Sequence, residues 1–144
     1  MALGDLVIFD EAVLAIAGTV HDLDNDTFKC MLITNAVTAV AGTATPVKGD
    51  FTEVSGTGYT EGGETLTVVP LAEAAGVVTY DFSTNPSWTQ KGAGFTVAYQ
   101  AIVYNDTNVG KECLGFVDMA GPTSLVSGNV SITWNASGFF TITA

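Results

Sequence analysis

Arginine is absent from this chain and positive charge of any kind is scarce. Four lysines stand against fifteen acids in 144 residues, for a net charge of −11. Nucleic-acid binding depends on neutralising phosphates with Lys and Arg, so this balance excludes it and disfavours anionic membranes for the same reason. Charge of either sign is thin as well, at 13% of residues against about 25% in a typical globular protein. Thr, Ser, Asn and Gly fill the polar positions instead. Monomers usually keep a densely charged surface, so an under-charged one predicts faces covered by neighbours. The alternative is a Thr-rich β surface that is simply uncharged.

Long hydrophobic runs are missing too. None approaches the ~20 residues that span a bilayer. The opening MALGDLVIFDEAVLAIAG has no basic n-region and carries Asp5, Asp10 and Glu11, which argues against a signal peptide and for a protein made and kept in a cytosol. There are two cysteines, Cys30 and Cys113. Without export they are expected as reduced thiols behaving as small hydrophobes. His21 is the single histidine and no serine sits in a Gly-x-Ser-x-Gly elbow, so a nucleophile with an adjacent base is not expected. No enzyme activity, cofactor or metal site is predicted.

What the chain does have is strand signal. Phe95 to Tyr104 (FTVAYQAIVY), Leu114 to Met119 (LGFVDM), Val130 to Trp134 (VSITW) and Phe139 to Thr143 (FFTIT) alternate β-branched and aromatic residues between turn-formers. Phe28 to Thr34 (FKCMLIT) is apolar on both faces apart from Lys29, the pattern of a strand in the middle of the packing. Leu66 to Val69 and Val77 to Phe82 add two more. One short helix is predicted, Glu11 to Ala17, capped by Asp10 and stopped by Gly18, with Val13, Ile16 and Ala17 on one face. The expected fold is all-β: a single β-sandwich over 1–144, jelly-roll-like or immunoglobulin-like, with about eight to ten strands. Residues 1–19 form an apolar arm and short helix preceding it. An apolar arm from Leu3 to Phe9 is hard to leave in water, so it either folds back or docks on a neighbour.

Motifs of chemistry are weak. Asp22, Asp24 and Asp26 with Asn25 resemble a calcium loop, but the sixth and twelfth positions hold Thr27 and Ile33 in place of Gly and Glu; a solvated acidic turn is the better reading. Gly56 to Gly62 (GTGYTEG) is one residue too long for a dinucleotide loop and contains Glu61, so a glycine-rich β-loop is expected. His21 is expected to cap a turn. Trp88 and Trp134 are expected as core or interface aromatics, with a sugar-binding shelf including Tyr59 as the rival.

Three stretches together resemble small structural proteins of tailed bacteriophages. The acidic turn and strand DLDNDTFKCMLIT from Asp22, the glycine-rich EVSGTGYTEGG from Glu53, and an ending of AYQAIVY, LGFVD and ITWNASG occur in that order across residues 20 to 144. The resemblance implies a non-enzymatic virion component, most simply a capsid decoration (cement) protein, with a head-fibre or tail accessory protein, or a carbohydrate- or receptor-binding module, as the alternatives. It implies synthesis in the host bacterial cytoplasm and residence on the capsid exterior. Its partners would be the major capsid protein and copies of itself, a homotrimer or a dimer. In this chain Leu3, Leu6, Val7, Ile8 and Phe9 are the expected docking arm, whose removal would leave the soluble fold intact.

Overall fold

The computed structural model describes residues 5–89, 92–94, 97–123 and 129–144. Strands make up 40% of the chain and helix 8%, which places it as an all-β, sandwich-like fold with one short helix. In chain order the elements are β1 (Val7–Ile8), α1 (Asp10–Ala17), β2 (Phe28–Ile33), a 3-10 turn (Lys48–Asp50), β3 (Glu64–Leu66), β4 (Glu73–Ala74), β5 (Val77–Tyr80), β6 (Ser87–Thr89), β7 (Ala98–Asn105), β8 (Cys113–Thr123), β9 (Asn129–Ser131) and β10 (Phe140–Thr143).

The main sheet has five strands in the order β1-β8-β7-β2-β3, all pairs antiparallel. β2 lies inside it, between β7 and β3, as its two apolar faces require. Lys29, the one charge in β2, reaches out to Asp106 at 3.0 Å. Cys30 and Cys113 are both buried and free. The segment read as a strand from Phe95 is seen as β7 from Ala98; Phe95 and Thr96 lie outside the described residues.

Two smaller sheets complete the layers, β10-β5-β4 and β6-β9. Aromatic rings join the first of these to the main sheet. Phe28 of β2 meets Tyr80 of β5 at 6.2 Å and Phe82 at 6.0 Å, and Tyr80 meets Phe140 of β10 at 5.2 Å. Such pairs are directional, and they orient the sheets as well as burying area.

The N-terminal segment folds back. Val7 and Ile8 pair with Phe116 and Gly115 as an edge strand of the main sheet. Gly115 makes room for it, since a Cβ there would lie 2.6 Å from the Val7 carbonyl oxygen and 3.0 Å from Leu6 Cγ. Phe9 then enters the core at 0% exposure, 5.3 Å from the Phe116 ring and 6.3 Å from that of Phe51. Of the two courses expected for the apolar arm, folding back or docking on a neighbour, the segment takes the first. Phe9 fills the core, Leu6, Val7 and Ile8 pack against it, and Leu3 lies outside the described residues. The helix also starts one residue earlier than expected. Asp10 is its first residue and Phe9 stands at the cap, with no side-chain capping bond.

Candidate functional site

Several sequence candidates turn out to hold the fold. Trp88 and Trp134 are 2% and 7% exposed. Trp134 donates its indole N–H to the Thr84 carbonyl at 2.6 Å, and Trp88 stacks on Tyr59 at 6.2 Å. The rim that a sugar shelf needs, with these rings exposed together, is not present among the described residues. In the glycine-rich loop four amides are already bonded within the chain. Gly62 N–H donates to Glu53 Oε1 (2.6 Å), Gly63 to the Thr60 carbonyl, Tyr59 to Gly56 and Thr57 to Gly94. Those bonds and the carboxylate of Glu61 in the same loop fit a glycine-rich β-loop better than a phosphate cradle.

Glu53 anchors that loop. Its Oε1 also accepts from the Tyr59 hydroxyl at 2.6 Å, while Lys48 sits 3.4 Å from its Oε2. Burial and the Glu53 hydrogen bond push the Tyr59 phenol pKa up, keeping it a donor. The acidic turn likewise closes on itself: Asp22 accepts from the backbone of Asp24 and Asn25, and Asp26 accepts from the backbone of Asp22 at 2.8 Å. Among the described residues no group of three or more His, Cys, Asp or Glu is arranged to hold a metal ion. No helix of the described residues is long and apolar enough to cross a membrane.

Two grooves flank α1. The helix buries Ala12 and leaves Val13 and Leu14 at 62% and 72% exposed. On one side Val13, Ile16 and Ala17, the face anticipated from their spacing, line a groove of about 480 Å³ with Ile8, Phe140 and Ile142. On the other side Ala12, Leu14, Ala15 and Val20 face Pro46 and Val47 across a groove of about 400 Å³ whose lining includes His21 and Glu112. The exposed Val13 and Leu14 thus form an apolar strip on α1, each lining one of the two mostly apolar grooves.

His21 is buried, at 3% exposed, with its ring 5.8 Å from Phe28. Its protonation pattern follows from Asn105. The Asn105 side-chain oxygen accepts from the backbone of Thr107 (2.9 Å) and Asn108 (3.3 Å), so its amide nitrogen is the group that donates to Asp26 (2.6 Å) and faces His21 Nδ1 at 3.2 Å. An amide nitrogen only donates, so Nδ1 accepts and the neutral ring carries its proton on Nε2.

Burial lowers the His21 pKa below its ordinary 6.5, against the opposing charges of Glu112 and Asp26 and the Cys113 backbone. A depressed folded-state pKa gives stability that is complete above the unfolded value and is lost as pH falls from about 6.5 through the folded value. The urea midpoint is thus expected to drop between pH 7 and pH 5, with a flatter profile in His21→Gln. An unchanged slope in the variant would contradict this. Asp106 titrates in a separate, lower window. Although partial burial acts to raise its pKa, Lys111 at 2.8 Å and Lys29 at 3.0 Å hold it below the usual carboxylate value. Its contribution is lost only as pH falls below about 4.

Compared with protein-family models, curated proteins and solved structures, the chain matches none. Residues alone therefore carry the functional reading. The pairing of His21 with Glu112 across one groove was not visible in the sequence. The two are far apart in the chain, and neither belongs to a recognisable spacing. The exposed Val13–Leu14 step was legible as apolar, but its outward aspect depended on which helical face the sheet claimed.

Proposed function

We propose that this chain is a non-enzymatic structural protein of a tailed-phage virion, a capsid decoration protein bound to the outside of the head shell. The observation that carries the reading is the apolar strip over α1, where Val13, Leu14 and Ile142 stand exposed between two apolar grooves. The occupant it fits is the major capsid protein. A second copy of a chain at −11 would bring like charge to the same rim, where Asp10 and Glu11 already stand exposed. The described lysines do little to offset it: Lys29, Lys48 and Lys111 are each within an ion pair with an acid of the same chain. Such a surface suits the shell exterior, away from packaged DNA.

Burying the strip contributes about 25 cal/mol per Å² before the costs of association are subtracted. Many copies on a symmetric lattice, or a subunit that is itself oligomeric, raise a modest per-site affinity through avidity. Co-sedimentation of the purified protein with undecorated shells of its phage is the direct test. The expected result is saturable binding at a simple ratio to the major capsid protein. Leu14→Asp is expected to weaken binding by roughly ten-fold or more, the effect of losing a buried anchor. Its melting curve should be almost unchanged, because a substitution at an exposed position usually stays within about 0.5 kcal/mol. Absence of binding to shells would overturn the assignment in favour of a tail or fibre position. Binding that Leu14→Asp leaves intact would remove α1 as the docking face.

A further inference from the structure

We infer that the free edge of β10 and the facing side of α1 form a strand-addition site for an extended, non-acidic segment of a partner protein. It rests on the docking reading of α1 only for the identity of that partner, and its test needs no shells.

A strand edge carries the inference. β10 closes one side of the sheet β10-β5-β4, and among the described residues no strand pairs with its outer side. Its register sets Thr141 opposite Thr79 and Thr143 opposite Val77, and the Ala144 N–H donates to the Gly76 carbonyl at 2.9 Å. Hydrogen-bonded and non-hydrogen-bonded pairs alternate along an antiparallel ladder. Ile142 and Ala144 therefore bond towards β5, while Thr141 and Thr143 each turn an N–H and a C=O outward. Both threonines are exposed.

That outer side opens onto a groove. Phe140, Thr141 and Ile142 line the α1 groove of about 480 Å³, and no residue of β5 or β4 does. Successive residues of a strand point to opposite faces, so a groove touching all three follows the strand's edge. Its other wall is Ile8 with Val13, Ile16 and Ala17 of α1, and none of the described residues lining it is charged. A partner strand here would bond to Thr141 and Thr143 and lay alternate side chains on the apolar wall.

The distribution of edge charge points to the same place. In the two larger sheets the opposite edges carry acids, Glu64 in β3 and Glu73 in β4. Charged side chains at an edge discourage strand addition. β1 and β10 hold neither a charge nor a proline, and both border this groove. The chain's net charge of −11, with Lys29, Lys48 and Lys111 already in ion pairs, repels an acidic segment and favours basic flanks. A second copy brings the same excess of acid, so a foreign segment fits better.

The probe is the peptide acetyl-KVTVTVK-amide, titrated into the full chain. NMR follows the Thr141 and Thr143 amides and the methyl groups of Val13, Ile16 and Ile142. Saturable shifts at both sets are expected, with slower hydrogen exchange at the two amides. N-methylation of one alternate set of peptide residues should weaken binding about ten-fold or more, the order of one or two hydrogen bonds lost. Methylation of the other set should change little, because those amides point away from β10. Glutamates in place of the terminal lysines should weaken binding as well. Val13→Asp, at an exposed position, should reduce binding while the melting curve stays almost unchanged. Thr141→Pro removes an outward N–H that β5 does not use, and serves as the second variant. The inference is overturned if the two amides stay unmoved, or if both methylated peptides bind as well as the parent. Protection of those amides without peptide, fading on dilution, would assign the edge to a second copy instead. Peptide binding by a chain that ignores phage shells would keep this inference and end the virion assignment. Shell binding with the edge amides unmoved by peptide would do the reverse.

Discussion

Phe9→Ala is expected to cost roughly 3–5 kcal/mol of folding stability, the range for truncating a fully buried phenylalanine. The ring lies at 0% exposure between Phe51 and Phe116. Its backbone N–H donates to the Leu114 carbonyl at 3.2 Å, and its carbonyl accepts from Ala12 at 3.0 Å in the first turn of α1. One residue thus ties the edge strand, the helix and β8 together. Removing the ring leaves a cavity in the core beside Phe51 and Phe116. Set against a typical stability of about 5–15 kcal/mol, that is a large share. Urea denaturation of the variant checks it, and a loss below about 1 kcal/mol would mean that the segment is held by strand pairing alone. The contrast with Leu14→Asp is diagnostic. On the proposed function, Phe9→Ala should lose shell occupancy only in step with its lost stability, and Leu14→Asp with no loss of stability.

Gly63→Ala should be at least as disruptive locally. Gly63 has φ +74°, in the left-handed region, and a Cβ there would lie 2.0 Å from the Cys30 carbonyl oxygen and 2.7 Å from Met31 Cα. Those are backbone atoms of β2, inside the main sheet, so neither partner can yield as a flexible side chain would. Strain at a non-glycine residue in this region costs roughly 1–3 kcal/mol. Overpacking a tight contact typically adds another 1–3 kcal/mol. A loss of roughly 3 kcal/mol or more is expected, with Cys30↔Glu64 pairing the first casualty. Gly49→Ala is the control: no atom lies within 4 Å of its added Cβ, and its effect should stay within about 0.5 kcal/mol. Equal melting temperatures for the two variants would show that the loop can move off β2 freely.

Much of this architecture was written locally. The uninterrupted apolar run of β2, with Lys29 as its one charge, needs cover on both faces, and only an interior position provides it. The helix from Asp10 to Ala17 ended where glycine followed, although Gly18 keeps an ordinary φ of −84° and the left-handed turn falls on Thr19 at φ 63°. The shorter strands β4, β6 and β9 were less legible, since two or three residues carry no period and are set by what they pair with. Trp88 illustrates this. Its sequence surroundings mark it as a core or interface aromatic without marking a strand, and it forms β6 because Val130 of β9 stands opposite.

The sequence by itself determined the all-β class, the single short helix, the negative field and the shortage of surface charge, because these depend on composition and on periods of a few residues. Only the tertiary structure decided that Phe9 belongs to the core, that Val13 and Leu14 face outward, and that His21 and Glu112 share a groove. A one-dimensional pattern marks a residue as apolar or titratable. Whether it is covered, and beside what, depends on long-range pairing such as Ile8 with Gly115 and Glu112 with Val47, which no local window contains.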